Sequence, residues 1–372
     1  MRELRLLLNN YLRGVDFPLL GLCLAASALG LLLISSACAP LPSGAGGYVR
    51  IQAVSVGIGV CVYLALSAAR LETLISKWRF ILPANILIIL LLLTPLGTSF
   101  GSQNRSWLLI PGLPFSIQPA EIAKAGFILL LAAQFHRLRA SVNNVLSIAS
   151  FIAHTFFMVA LIQLVSGDTG VALIYVAILI VMMVGALVRP LWFIILAGAA
   201  AAGAPLVWAF LSENQRSRVL IVLNPRMDPQ GAGWHTLLSV KTINNGGPFG
   251  RGLYRGEVTQ SGDLFAAHTD FIFSVCGEEL GQLGCLVVLL LLTAIIARCF
   301  TACRRARGGP GALVAFGAGG MLLFQVFENI GMCLGLTPVI GITLPFLSYG
   351  GSSNIALYSA MGLVSAARSR RR

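Results

Sequence analysis

The sequence predicts an all-α polytopic membrane protein of about ten transmembrane helices. Of its 372 residues, 57% are hydrophobic and only 10% are charged, whereas a soluble domain carries about 25% charged residues. Apolar runs of about 20 residues, the length that crosses a bilayer, recur along the whole chain. These runs cover 17–36, 48–68, 79–97, 119–135, 145–165, 168–187, 190–211, 270–297, 311–335 and 339–366.

Arginine and lysine placement predicts the orientation. Basic residues precede the first run, follow each even-numbered run and close the chain, namely Arg2, Arg5, Arg13, Arg70, Lys77, Arg79, Arg137, Arg139, Arg189, Arg298, Arg304, Arg305, Arg307, Arg368, Arg370, Arg371 and Arg372. Under the positive-inside rule, both termini are cytoplasmic. This topology also explains the net charge of +13. A nucleic-acid partner is not predicted, because the basic residues form no single patch.

Several other protein classes are disfavoured. The first apolar run resembles a cleavable signal peptide, but it is long enough to span and we interpret it as a retained helix. The eight cysteines lie mostly in apolar runs, and they show neither a disulfide framework nor a zinc-binding spacing. No glycine-rich nucleotide-binding loop is present, so ATP hydrolysis is not predicted.

Residues 1–372 read as a single transmembrane domain with one long extracytoplasmic loop, 212–269, between helices 7 and 8. A structureless loop of this length is unusual in a compact domain. We therefore expect short or re-entrant helices within it. Its density of Gly, Pro and Asn indicates tight turns.

The loop also carries the side chains expected to meet an anionic ligand. Its cations suit phosphate or pyrophosphate recognition at a membrane surface; they are Arg216, Arg218, Arg226, Lys241, Arg251 and Arg255. His235 and His268 are compatible with a metal site, but two histidines without further ligands make a weak case for one.

Ionisable residues at membrane depth are costly and usually functional. Glu121 and Lys124 are three residues apart at the start of the fourth run, so they share a helix face and can pair. They are compatible with a structural ion pair and with a charged wall of a substrate cavity. By contrast, Asp16 is expected to be solvated at a cytoplasmic helix end, or to contribute to the orientation of the chain in the membrane.

Two aspartates stand where the loops meet the membrane. Asp168 stands at the start of the sixth run and is placed to cap that helix. Asp270 stands at the junction of the long loop with the eighth run, and it allows two interpretations. It caps this helix, or it acts as a partly desolvated general base on a sugar hydroxyl. Glu278 and Glu279, deeper in the same run, are expected to face packed polar partners.

Six motifs give the chain a family resemblance. They are Gln-Pro-Ala-Glu-Ile-Ala-Lys at 118, Asp-Pro-Gln-Gly-Ala-Gly-Trp at 228, Gly-Gly-Pro-Phe-Gly-Arg-Gly at 246, His-Thr-Asp-Phe-Ile-Phe at 268, Gly-Glu-Glu-Leu-Gly at 277 and the run from Asn329 to Ser353. In this order they resemble the SEDS family (shape, elongation, division and sporulation). The chain is more similar to the elongation branch, RodA, than to the division branch, FtsW.

The resemblance implies a peptidoglycan glycosyltransferase that polymerises lipid II outside the bacterial cytoplasmic (inner) membrane. It also implies a class B penicillin-binding protein as transpeptidase partner. The family's essential loop aspartate corresponds to Asp270, and its cavity residues correspond to Glu121 and Lys124. Asp168 corresponds to a family aspartate whose flanking residues differ here. The family's arginine before tryptophan is displaced to Arg105, so we assign it no catalytic role.

The resemblance also suggests the substrate-binding residues and leaves alternatives open. Loop cations, together with a divalent cation such as Mg²⁺ or Mn²⁺, would stabilise the leaving undecaprenyl pyrophosphate. The predicted substrate cavity contains Glu121, Lys124, Asp168, Arg216, Arg218, Lys241, Arg251 and His268. A lipid II flippase is the alternative function, because buried charges also suit a transport path. A scaffold for the penicillin-binding protein is a third.

Overall fold

The structure is a computed structural model that describes residues 14–99, 105–113, 115–224, 232–306 and 309–368. Within these residues it consists of helices and one two-stranded antiparallel ribbon, β1 (Gly97–Thr98) and β2 (Trp107–Leu108). The helices are α1 (Phe17–Ala37), α2 (Ala45–Ser67), α3 (Leu71–Ser76), α4 (Trp78–Leu90), α5 (Pro119–Arg137), α6 (Val145–Val165), α7 (Thr169–Gly185), α8 (Pro190–Phe210), α9 (Glu213–Leu223), α10 (Ala232–Asn245), α11 (Glu257–Ser261), α12 (Ile272–Glu279), α13 (Gly281–Arg305), α14 (Pro310–Cys333) and α15 (Gly351–Arg368). Short 3₁₀ turns cover Leu91–Leu93 and Arg139–Ser141.

The predicted all-helical class is confirmed. Six helices of the described chain, α1, α2, α6, α8, α13 and α14, are long and apolar enough to cross a membrane. Two shorter apolar helices lie at Trp78–Leu93 and Thr169–Gly185. Helix α5 matches the predicted run 119–135 but carries the charges of Glu121 and Lys124 near its start.

Two predicted helix boundaries are wrong. The run 270–297 is two helices, because the chain breaks at Gly281, whose φ of 69° is a left-handed conformation that favours glycine. At the other end, α12 begins only at Ile272, so Asp270 lies in the turn before it. The run 339–366 is also shorter than predicted, since residues 339–350 are not helical and α15 begins at Gly351. Pro345 lacks the N–H that a continuous helix requires.

The long loop contains the helices α9, α10 and α11, so the prediction of short helices within it is confirmed. Helix α9 begins with a capping box, in which the Ser212 hydroxyl accepts from the Gln215 N–H and the Gln215 side chain accepts from the Ser212 N–H. Helix α10 packs against α12. Residues 225–231, which include Arg226 and most of the motif at 228, lie outside the described residues.

Close helix packing positions the site. Helix α15 lies against α2, where a side chain at Gly59 or Gly362 would collide with Tyr358 or Tyr63. Small residues at such contacts let helix backbones approach closely. Helix α8 differs, because none of its described residues is buried. The described bundle therefore combines closely packed helices with one helix, α8, that buries none of its residues.

Candidate active site around Asp270

The backbone of Asp270 is fixed by a side chain from α14. Its N–H donates to the Ala266 carbonyl at 3.0 Å, and its own carbonyl accepts from Asn329 Nδ2 at 2.8 Å. The same amide nitrogen donates to the Ile342 carbonyl at 2.7 Å. Because Asn329 is fully buried, these bonds hold the Asp270 turn firmly against the segment 339–350.

A second set of bonds fixes the residues just before Asp270. The Ser348 hydroxyl donates to the Thr269 carbonyl at 2.6 Å, and the Tyr349 N–H donates to the His268 carbonyl at 2.9 Å. On the other side, Gln52 Nε2 of α2 donates to the Ser348 carbonyl at 3.0 Å. The turn and the segment 339–350 thus form one hydrogen-bonded unit, attached to the second helix.

His268 belongs to an aromatic cluster in this unit. Its ring centroid lies 5.1 Å from that of Tyr48 and 5.7 Å from that of Tyr349, distances typical of aromatic pairs. Burial lowers the pKa of His268 and so favours its neutral ring. His268 was predicted to line the substrate cavity. In the structure it packs against Tyr48 and Tyr349, two residues before Asp270.

The space beside the Asp270 carboxylate depends on a glycine. Gly341 has a φ of 72°, and a Cβ added to it would lie 3.6 Å from Asp270 Oδ2. The missing side chain leaves one side of the carboxylate uncovered. Asp270 is partly exposed, so a substrate hydroxyl approaching from this side could reach it.

The environment of Asp270 favours its protonated form. Burial, followed by the charge of Asp168, raises the pKa of Asp270 to about 6, although the Thr269 side chain and the charge of Arg218 act in the opposite direction. A carboxylate with this pKa is largely ionised at neutral pH but readily accepts a proton, which suits a general base. The alternative capping role is wrong, because Phe271 is the N-cap residue of α12 and no side chain caps it.

Asp168 does cap its helix, as predicted. Its Oδ1 accepts from the Val171 N–H at 3.0 Å, and its Oδ2 accepts from Gln118 Nε2 at 2.7 Å. Burial raises the pKa of Asp168, as does the charge of Glu121. Asp168 therefore links α7 to the start of α5 and adds negative charge to the surroundings of Asp270.

Glu121 and Lys124 form the expected ion pair, with Lys124 Nζ 2.7 Å from Glu121 Oε1. The two residues are 4% and 2% exposed, so each charge needs the other. Glu121 Oε2 is buried and has no hydrogen-bond partner among the described residues. The structure thus supplies the pair, and its substrate-facing role stays a prediction.

The predicted loop cations differ in their surroundings. Arg218 is exposed, and its charge reaches Asp270. Arg216 donates to the carbonyls of Trp208 and Ala209 at 2.9 and 2.8 Å, which satisfies the end of α8. These contacts make Arg218 the better placed of the two arginines to meet an anion near Asp270.

Two further predicted cations lie away from this centre. Arg251 donates to the Asn245 carbonyl at 3.1 Å and lies 3.8 Å from Glu257, and Lys241 is exposed on α10. Within the described ranges, no hydrogen bond or ion pair joins either residue to Asp270. Arg105 donates to the carbonyls of Thr94 and Gly97, so it supports the turn around β1.

The expectation for the two glutamates of α12 is confirmed. Glu278 accepts from the N–H groups of Val258 and Thr259 at 3.0 and 2.9 Å. Glu279 accepts from the Ser36 hydroxyl at 2.6 Å. Both carboxylates are fully buried and hold α11 and α1 to α12, which fixes the helix that follows Asp270.

Sequence reasoning missed three polar residues near the site. Asn329 and Gln118 lie inside the recognised motifs. Only their hydrogen-bond partners in the structure, Asp270 and Asp168, indicate that they position the site. Glu328 is 6% exposed in α14, and its Oε1 has no partner in the described part of the chain. For Glu328 and Asn329, a polar side chain within an apolar helix is the signal that could have identified them. Gln118 precedes helix α5 and gives no such signal.

The described residues contain no group of three or more His, Cys, Asp or Glu side chains that could hold a metal ion. His235 and His268 therefore have no third such ligand there. A catalytic metal held by the protein alone does not fit the described site.

Comparisons with known proteins place this architecture. The described chain is a helical membrane protein with an aspartate held in a turn between its helices. The sequence profile of the FtsW/RodA/SpoVE cell cycle protein family matches residues 18–372. The chain belongs to this family.

Relatives from both branches are similar to the chain. It is 34% identical to the peptidoglycan glycosyltransferase MrdB of Escherichia coli K12 over 331 residues, which are 87% of this chain and 85% of that protein. It is 33% identical to the probable peptidoglycan glycosyltransferase FtsW of Enterococcus hirae over 372 aligned positions, covering 94% of this chain and 91% of that protein.

Solved structures agree with the fold. A chain of a peptidoglycan synthase complex, described as coordinating polymerization and crosslinking, superposes with a TM-score of 0.77 at 33% identity and covers 95% of this chain and 97% of its own. The rod shape determining protein RodA of Thermus thermophilus superposes with a TM-score of 0.70 at 29% identity, covering 96% and 98%.

Proposed function

We propose that this protein is a peptidoglycan glycosyltransferase that polymerises lipid II at the outer face of the bacterial cytoplasmic membrane, in cell elongation. The names of its relatives support the activity, and the likeness to RodA supports the elongation branch. The placement of basic residues supports ten crossings with both termini in the cytoplasm. Loss of an elongation enzyme should produce round cells, whereas loss of a division enzyme should produce filaments.

One observation carries the proposal. Asp270 combines a rigidly held backbone, an uncovered carboxylate edge at Gly341 and a pKa of about 6. The carboxylate of a structural aspartate in such a turn would be expected to cap a helix or to form an ion pair. Among the described residues, the Asp270 carboxylate does neither. The geometry therefore suits proton abstraction.

The reaction follows from this position. Asp270 takes the proton of the 4-hydroxyl of GlcNAc on one lipid-linked disaccharide. The hydroxyl oxygen attacks the anomeric carbon of MurNAc on the growing chain, and a new C–O bond forms. The bond from that carbon to the pyrophosphate oxygen breaks, and undecaprenyl pyrophosphate leaves with the electron pair. Arg218 would stabilise the developing negative charge, and Asp270 then releases its proton to water.

Other predicted residues would assist in binding. Glu121, Lys124 and Asp168 would form the floor of the substrate cavity, and Lys241 and Arg251 would contact more distant parts of the substrate. Mg²⁺ or Mn²⁺, if used, would arrive with the pyrophosphate, because the described side chains form no metal cluster. EDTA should then slow polymerisation, and an unchanged rate would exclude the cation.

We also propose a class B penicillin-binding protein as partner. The similar chain in a peptidoglycan synthase complex supports this assignment, because polymerised strands must be crosslinked by a second activity. Co-purification of the two full-length proteins from membranes, with a polymerisation rate that rises on mixing, is the expected result. An unchanged rate and separate elution would contradict it.

The purified protein in detergent tests the enzyme against the flippase. We expect it to form glycan polymer from lipid II without a bilayer, and Asp270→Asn to abolish that product. Asp263→Asn is the matched control, because Asp263 is an exposed aspartate of the same loop outside the site. The buried Glu121–Lys124 pair also suits a carrier, and absence of polymer with retained lipid II transport in vesicles would favour that function.

A further inference from the structure

A groove far from Asp270 lies between α4, α5 and α6. Its volume is about 410 Å³, and its lining residues are Trp78, Leu82, Ile86, Leu130, Gln134, Arg137, His154 and Phe157. Trp78, Leu82 and Ile86 are spaced four apart and so share one face of α4. The groove therefore extends for about 12 Å along that helix, at 1.5 Å per residue.

The groove is polar at one end and apolar at the other. Arg137 lies 4.5 Å from the centroid of the Trp78 ring, and Arg79 lies 5.6 Å from it. Both arginines are exposed, and neither forms an ion pair with a carboxylate of the described chain. Arg137 lines the groove, and Arg79 lies beside it at the Trp78 ring. Two guanidinium groups without carboxylate partners at this end of an apolar groove match an amphiphile with an anionic head.

The mouth of the groove lies at the interface of one membrane face. Leu71, at the start of the preceding short helix, approaches Gly311 of α14, which also approaches Ala367 of α15. These are the ends of the bundle that carry Arg298 and Arg368, the cytoplasmic face in the proposed topology. Tryptophan and arginine are typical of this depth, and basic pockets between helices on this face bind anionic lipid head groups.

A buried polar group of the groove lining has no hydrogen-bond partner among the described residues. Gln134 Oε1 lies 3.1 Å from His154 Nδ1, and Gln134 Nε2 donates to the Ser150 hydroxyl at 3.1 Å. Nδ1 therefore carries the imidazole proton and Nε2 is an acceptor. That Nε2 is buried and has no partner among the described residues, which requires an explanation.

We propose that this groove binds one anionic phospholipid of the inner leaflet. The phosphate lies between Arg79 and Arg137, the glycerol backbone lies beside Trp78, and one acyl chain follows Leu82 and Ile86 into the membrane. The ligand is distinct from the proposed substrate, whose chemistry is placed around Asp270. The two guanidinium groups select a net negative head over a zwitterionic one.

Native mass spectrometry of the full chain in detergent tests this site, with phosphatidylglycerol and phosphatidylethanolamine as probes. We expect phosphatidylglycerol to bind more tightly than phosphatidylethanolamine, and we expect the double variant Arg79→Gln with Arg137→Gln to weaken phosphatidylglycerol binding about thirtyfold. Arg139→Gln is the matched control, because Arg139 is an exposed arginine outside the groove, and it should change binding less than twofold. Leu82→Trp keeps both charges and fills the groove, so it should displace both lipids.

Three results would overturn the proposal. Equal binding of the two phospholipids by the wild-type protein would exclude head-group selection. An equal loss in Arg139→Gln would show that general surface charge retains the lipid. Displacement of phosphatidylglycerol by lower concentrations of undecaprenyl phosphate would assign the groove to a prenyl carrier. If the double arginine variant does not fold, wild-type selectivity and Leu82→Trp still decide the matter.

Discussion

Each end of the helix bundle holds an aspartate next to the start of a helix, Asp16 at one end and Asp270 at the other. Their surroundings shift the two carboxyl pKa values in opposite directions. Asp16 is 1% exposed, and it receives Arg298 at 2.8 Å and Arg368 at 2.8 Å. Burial opposes its charge, but hydrogen bonds from Arg298 and the charges of both arginines outweigh burial and lower its pKa. Asp270 has no such partner among the described residues, and its pKa rises to about 6.

The difference separates a structural carboxylate from a reactive one. Asp16 also accepts from the Leu19 N–H at 3.3 Å and so caps α1, and Tyr63 donates to its carbonyl. Apart from the cap within α1, these contacts of Asp16 join different helices. The bonds at Asp270 fix its backbone and leave its carboxylate available. The same amino acid can therefore stabilise the fold or carry chemistry, depending on whether a cation satisfies it.

The largest expected effect comes from Asp270→Asn. Loss of the general base should lower the polymerisation rate by about 10²–10⁴-fold. The melting temperature should stay equal or rise, because a folded-state pKa above the unfolded value means that the charged carboxylate destabilises the fold above pH 6. Polymerisation rate and thermal unfolding of the same preparation measure both. A marked drop in melting temperature would make Asp270 structural.

Lys124→Met should strongly destabilise the protein. It leaves the buried Glu121 charge without its partner, at a cost of about 3–5 kcal/mol. Glu121→Gln with Lys124→Met should recover most of this loss, because no charge stays buried. Unfolding in denaturant compares the two variants. Equal destabilisation of the single and double variants would indicate that side-chain packing, and not charge, holds this part of α5.

Asp16→Asn should lower the free energy of unfolding by about 2 kcal/mol. This loss is smaller than the full cost of breaking a buried ion pair, because Arg298 and Arg368 are partly exposed. Since the folded pKa of Asp16 is lowered, its contribution is complete above about pH 4 and is lost as pH falls below that. Unfolding at pH 7 and at pH 3.5 measures this difference. The polymerisation rate per folded molecule should not change, and a loss as large as that of Asp270→Asn would break the comparison.

Asn329→Leu should cost about 1–3 kcal/mol, because it leaves the carbonyls of Asp270 and Ile342 without a donor. It should also slow polymerisation by freeing the Asp270 turn, with little change in substrate KM. Gln325→Leu, one turn away on the same buried face, is the control for an amide lost from α14. Equal effects of both variants on the rate would contradict a specific clamp on Asp270.

The sequence predicts the class of fold and the residue at the centre of the site, but not the bonds that hold it. Hydropathy and basic residues follow local rules, so most apolar runs and the capping role of Asp168 could be predicted. The clamp on Asp270 joins residues 59 and 79 positions apart, and no spacing rule identifies such pairs. Asp16 was expected to be solvated, which is wrong, because its two arginines come from the distant helices α13 and α15.

The pH dependence of kcat/KM for lipid II polymerisation tests the assignment of Asp270 most directly. It should be measured from pH 5 to 8, with folding checked at each pH. A base with a pKa of about 6 predicts a plateau above pH 7 and a fall that approaches tenfold per pH unit below pH 6, shared by the Asp263→Asn control. A rate that stays constant to pH 5 would contradict Asp270 as the general base.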